Sequence, residues 1–207
     1  MSQNAATTSG EAARSGRKVL QPPLHHVNLK TTRLQGLIDW YGTVAGLTVT
    51  HQYEGGAWLT NDTANHRLAL LSVPGLEDDP DKIKHTGIHH TAFEFESMEE
   101  LLDTYERLRD EGIVPHGCLD HGMTTSFYYA DPDGNSVEMQ SDDFGDWSKS
   151  TAFMQSAPEF AADPIGRHVD PEQLLGARRE GASAEEIHRR AYSGEFEPVE
   201  PLDLRLP

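Results

Sequence analysis

The sequence predicts an α+β fold: two tandem βαβββ modules forming a curved sheet cavity, followed by a helical C-terminal extension. Three observations carry this. A His-His pair opens each of two strand-like segments 64 residues apart. The segments after each pair run in the same order, strand, helix, then three strands, which marks an internal repeat. Each unit must bury one sheet face, and its twin is the available partner.

Residues 1–22 read as a flexible polar arm, residues 23–141 as the two modules (about 23–75 and 86–141), and residues 142–207 as the extension. In the first module LHHVNLK (24–30) alternates as a strand. A helix runs from Leu34 to Tyr41, near Gly42, and strands follow at 46–53, 57–60 and 66–73. In the second module GIHHTAFEF (87–95) is the opening strand. Ser97 with Glu100 is a capping box, starting a helix that stops at Gly112. Strands are expected at 113–117, 125–131 and 135–141, with a turn at Asp131-Pro132-Asp133-Gly134. In the extension, Asp170-Pro171-Glu172 and Ser183 with Glu186 read as helix starts, and Gly181 and Gly194 as stops.

Composition narrows the partners. Against 17 basic residues stand 34 acidic ones, a formal charge of −17. Such a surface repels phosphate backbones and anionic lipid, so nucleic-acid and membrane partners are not expected. No apolar run approaches the ~20 residues of a membrane helix. The single cysteine, Cys118, excludes an intrachain disulfide framework, and a cytoplasmic location follows as the default.

Alternation places candidate ligands. His26, Asn28 and Lys30 share one face, opposite His25, Val27 and Leu29; His90 and Ala92 share another, opposite His89, Thr91 and Phe93. On the last strand Ser136, Glu138 and Gln140 oppose Val137 and Met139. If the apolar sides meet the helices, His26, His90 and Glu138 turn inward together. Two histidines and a carboxylate are the donor set of non-haem Fe(II) oxygenases. Overlaying NHRLALL (65–71) on GNSVEMQ (134–140) puts Ala69 where Glu138 stands, so the repeat lacks a fourth protein ligand. That leaves room on one cation for substrate and dioxygen.

HHVNL, GIHHTAFEFES and HGMTTSFYYADPDGNSVEMQ together resemble the vicinal oxygen chelate superfamily, and within it the single-domain type I extradiol dioxygenases of the biphenyl-2,3-diol 1,2-dioxygenase and catechol 2,3-dioxygenase kind. The segment 153–175 resembles their extension. The resemblance covers roughly residues 24–180. It implies His26, His90 and Glu138 as ligands of Fe(II), with Mn(II) the alternative, and O2 as co-substrate. It implies an acid–base role for His66, a hydrogen bond to substrate from Tyr128, and a place near bound oxygen for His121. Tyr129 rivals Tyr128, because one residue of slip reverses the face; His116 and Asp120 rival His121. The implied activity is extradiol cleavage of a small aromatic diol such as 2,3-dihydroxybiphenyl, by a homo-oligomer. Two other readings stay open: an isomerase or epimerase of the same fold, and a metal-free protein that sequesters a drug.

Overall fold

The computed structural model describes residues 20–200 and 203–207; most of the arm expected over 1–22 lies outside the described residues. The first module comprises β1 (Val27–Lys30), α1 (Leu34–Ala45), β2 (Thr48–Tyr53), β3 (Gly56–Thr60) and β4 (Leu68–Leu71). The second comprises β5 (His90–Phe95), α2 (Met98–Asp110), β6 (Gly117–Asp120), β7 (Thr124–Ala130) and β8 (Ser136–Asp142). The extension adds α3 (Trp147–Ser156), α4 (Pro158–Ala162), β9 (Arg167–His168), α5 (Pro171–Arg179) and α6 (Ala184–Tyr192). Sheet one has the order β1-β4-β3-β2 and sheet two β5-β8-β7-β6-β9. In both, the opening strand lies parallel to the closing one and the remaining pairs are antiparallel. The two βαβββ units and the helical extension expected from the sequence are therefore present.

The repeat holds at the level of register. Asn28 pairs with Ala69 and Ala69 with Trp58 in sheet one. Ala92 pairs with Glu138 and Glu138 with Tyr128 in sheet two. Ala69 thus occupies the place of Glu138, as the overlay of the two halves requires, and Trp58 occupies that of Tyr128.

Helix α1 buries Leu37, Ile38, Tyr41 and Val44, and α2 buries Met98, Leu101, Leu102, Tyr105 and Leu108, each on one helical stripe. These stripes cover the outer sheet faces, where Leu59, Leu70, Phe127, Tyr129, Val137 and Met139 join one core. The inner faces are left for chemistry. Ser97 caps α2 by accepting from the Glu100 N–H, and Gly46, in the left-handed conformation, closes α1. That closure carries α1 four residues beyond Tyr41. The modules are joined by α1 reaching the Asp131–Gly134 turn: the Tyr41 hydroxyl donates to Asp131 at 3.1 Å and Arg33 pairs with Asp133 at 2.7 Å.

One strand is displaced from its expected place. Of the expected strand at 113–117 only Gly117 joins a sheet; Ile113 N–H still bonds the Leu108 carbonyl at the end of α2, and Pro115 has no N–H to give a ladder. Pairing begins at Gly117, opposite Tyr128. Helices α3 and α4 open the extension. The helices expected after Asp170 and Ser183 form, each capped by that side chain. No helix among the described residues is long and apolar enough to cross a membrane. Cys118 is a buried free thiol.

Candidate metal centre

The two His-His pairs precede or open β1 and β5, so each sits at the rim of its sheet's inner face. In both, Nδ1 of the first histidine faces Nδ1 of the second, at 3.1 Å for His25–His26 and 2.8 Å for His89–His90. His89 Nε2 lies 3.0 Å from the Leu204 carbonyl, which can only accept, so this nitrogen carries a hydrogen. When His89 Nδ1 accepts, His90 Nδ1 is the donor of the His–His contact. A His90 that donates from Nδ1 can offer Nε2 either as a lone pair to a metal or as an N–H to Glu138.

That nitrogen lies 3.0 Å from Glu138 Oε2. Glu138 is only 5 % exposed, between Val137 and Met139. Its burial alone would raise its pKa, but hydrogen bonds from His90 and Tyr128 outweigh this and hold it below the usual carboxylate value. The pair is bridged by a proton on His90 Nε2 or by a cation. Two ligand atoms at right angles on one cation, each bonded at about 2.1 Å, lie roughly 3 Å apart. The His90–Glu138 pair therefore fits a divalent ion.

Beside it, the Tyr128 hydroxyl donates to Glu138 Oε1 at 2.8 Å and lies 2.9 Å from His121 Nε2. Burial and the Glu138 charge push the Tyr128 phenol far up, so it stays protonated and remains a donor. His121 Nδ1 meets the Ile165 carbonyl of the extension at 2.6 Å. The rivals separate by face. Tyr129 is buried in the outer core. Asp120 lies on the outer face with Thr125. His116 spans the Ser136 hydroxyl and the Asp203 carbonyl instead of reaching Glu138.

On sheet one, His66 packs against His26 with ring centroids 4.4 Å apart, and His25 joins them; the three offer ligand atoms within 4.8 Å of one another. His25 had been placed on the opposite face, but it precedes β1 and the strand alternation does not bind it. Desolvation, then the neighbouring His26 and His25, lower the His66 pKa, so it is neutral near pH 7. Among the described residues, the His26 donors do not fall within that same spacing of His90 and Glu138. The structure gathers His90, Glu138, Tyr128 and His121 in one group and His25, His26 and His66 in another. A groove of about 540 Å³ runs along the seam between β1, β4 and β5, lined by His26, Arg67, Thr91 and Phe93 among others.

Sequence reasoning missed the carbonyls of Ile165 and Leu204, which orient His121 and His89. Backbone groups have no side-chain signature, and only the path of the extension brings them here. Gly166 makes that path feasible. Its φ is +85°, and an added Cβ would lie 2.1 Å from the Asp120 carbonyl. Gly166→Ala is expected to lift residues 165–167 off β6 and slacken His121. Turnover should fall about 10-fold, as for loss of an outer-shell partner, with a melting temperature several degrees lower. Steady-state kinetics and thermal unfolding on the same preparation check both.

Residues 23–139 match the Glyoxalase/Bleomycin resistance protein/Dioxygenase superfamily. The chain belongs to this superfamily, the vicinal oxygen chelate proteins, whose members are catalytically diverse and able to coordinate metals. Within it, the chain is 39 % identical over 180 residues to biphenyl-2,3-diol 1,2-dioxygenase 2 of Rhodococcus globerulus, covering 87 % of this chain and 94 % of that one. To biphenyl-2,3-diol 1,2-dioxygenase 3 of the same organism it is 38 % identical over 186 residues, covering 89 % and 97 %. A glyoxalase/dioxygenase from Nostoc punctiforme shares the fold, with a TM-score of 0.50 and 21 % identity over 62 % of this chain and 99 % of that one.

Proposed function

We propose that this protein is an extradiol ring-cleaving dioxygenase that inserts both atoms of O2 into a catechol-type substrate at a single Fe(II) held by His26, His90 and Glu138. The observation that carries the reading is the His90–Glu138 pair. An imidazole nitrogen and a buried carboxylate oxygen stand 3.0 Å apart, the separation of two ligand atoms at right angles on one ion. Its strongest outside support is the likeness over nearly the whole chain to two biphenyl-2,3-diol dioxygenases. His26 is the third ligand because it holds the position of His90 in the repeat and its contact to His25 uses Nδ1, leaving Nε2 for the ion.

When bound, the metal supplies a Lewis acid and template for two adjacent substrate oxygens and dioxygen. The chain's own groups do the rest. Neutral His66 takes the proton of a catechol hydroxyl at a ring nitrogen and later returns one. Tyr128 donates a hydrogen bond toward the reacting oxygens. His121, tethered by Ile165, holds the Tyr128 hydroxyl in place beside the reacting oxygens. Ala69, in the place of a second carboxylate, keeps the ligand set at three.

Substrate choice follows from the inner face of sheet one. Trp58 stacks on Tyr53 with centroids 5.6 Å apart and has His51 beside it, also at 5.6 Å. This aromatic surface suits a diol bearing a second ring. Trp58→Ala is expected to raise KM for 2,3-dihydroxybiphenyl about 10-fold, the loss of one ring–ring contact with its buried area. KM for unsubstituted catechol should hardly move, and parallel Michaelis curves on the two diols test this.

The reading itself is tested by loading apoprotein with Fe(II) anaerobically, adding either diol, admitting air, and following oxygen uptake with the yellow ring-fission product. Stoichiometric uptake with yellow product supports it. Tight iron binding with no uptake across a panel of diols favours an isomerase-type enzyme of the same superfamily, and no metal binding favours a sequestering protein. Reloading with Mn(II) in place of Fe(II) decides which ion supports turnover.

A further inference from the structure

The outer face of sheet two carries a polar row that the proposed reaction does not use. Asp120, Thr125 and Ser141 stand in register across β6, β7 and β8, all with no exposed surface. Next to them lies Asp143, just beyond β8, with its side chain also fully buried. Into this row α6 of the extension inserts His188. Its Nδ1 lies 2.8 Å from Asp120 Oδ2 and 3.3 Å from Asp143 Oδ2. Two carboxylate oxygens thus converge on one ring nitrogen, which has at most one hydrogen to give. Thr125 Oγ lies 3.1 Å from both Asp143 oxygens, and the Gly122 N–H donates to Asp120 Oδ1 at 2.8 Å. The Ser141 hydroxyl, beside Thr125 on the same face, has no hydrogen-bond partner although it is wholly buried. Tyr192 and Phe144 flank the His188 ring.

Charge closes only if one buried carboxyl keeps its proton or a cation takes that proton's place. Two ionised carboxylates and one imidazolium leave a buried net charge of −1, which is costly away from water. Burial accordingly pushes the Asp143 carboxyl up, and the bond to Asp120 and the Asp143 charge raise His188 against its own burial. A divalent cation bound to neutral imidazole and two carboxylates makes the site neutral.

We propose that Asp120, Asp143 and His188 form a second divalent-cation site, on the opposite face of sheet two from Glu138, which pins α6 to the sheet. One ligand atom from each residue lies within 4.8 Å of the other two, as ligands on one ion do. One imidazole nitrogen and carboxylate oxygens, with hydroxyls beside them, suit Zn(II) or Mn(II) rather than a thiolate-seeking metal. The site spans the chain from β6 to α6, so the ion contributes stability: it binds the folded chain and not the unfolded one. It also fixes Asp120, the neighbour of His121.

The test is zinc per chain after dialysis, in a His26→Gln, Glu138→Gln background that removes the other centre. One zinc per chain is expected, falling to none when His188→Gln is added, with far-UV circular dichroism unchanged. Zinc should raise the melting temperature of the background protein by several degrees and leave the His188→Gln form unmoved. If a variant does not fold, wild-type protein titrated with Mn(II) is read by paramagnetic broadening of the Gly122, Thr125 and Ala191 amide signals. No zinc in the background protein, zinc that survives His188→Gln, or sharp Gly122 and Ala191 signals at saturating Mn(II) overturns the proposal and leaves a proton-bridged ion triad.

Discussion

Glu138→Gln is expected to abolish iron retention and turnover while leaving the apoprotein folded. Iron per chain is expected to drop from about one to below about 0.1, and kcat/KM to fall by more than about 10³-fold, because the anionic ligand of the Lewis acid is gone. Stability moves differently. Glu138 is buried between Val137 and Met139, where its partners and not water hold its charge. The amide keeps the shape of the side chain and its contact to Tyr128 without the charge. A carboxylate that served only the fold would show the reverse pattern, a lower melting temperature with iron retained. Iron analysis and thermal unfolding on metal-free and iron-loaded samples separate the two.

His66→Gln should lower kcat by about 10² to 10⁴-fold, the range of a lost general acid–base group, with close to one iron per chain retained. His66 is held neutral by desolvation and by its histidine neighbours, which suits it to accept a proton. The same crowding makes the prediction discriminating, since His25, His26 and His66 already stand at ligand spacing. Loss of iron in the variant would assign His66 to the ligand set and refute the acid–base role. Single-turnover kinetics with pre-bound substrate, alongside iron content, reads both quantities.

The strands and faces were legible because a side-chain period of two is hard to disguise, and because the chain states its unit twice. The pairing of Ala69 with Asn28 and of Glu138 with Ala92 follows from that repetition. Tyr128 over Tyr129 was undecidable from sequence, since both flank one peptide bond; register against Glu138 decides it. β6 was misplaced because Gly117, Cys118 and Asp120 have little strand preference, whereas Ile113 and Val114 have much and are stopped by Pro115. The contributions of the extension were invisible for a different reason. Ile165, Leu204 and His188 act at contacts 44, 115 and 68 residues distant in sequence. No local pattern encodes which loop will return to which sheet. The carbonyls of the extension set the orientation of two histidines at the centre.

Turnover of 2,3-dihydroxybiphenyl under ¹⁸O2, with mass analysis of the product, tests the central claim most directly. The account predicts that both labelled atoms enter one product molecule, and that the ring opens beside the diol, not between its two oxygens. A product of unchanged mass, a single labelled atom, or cleavage between the hydroxyls would contradict it.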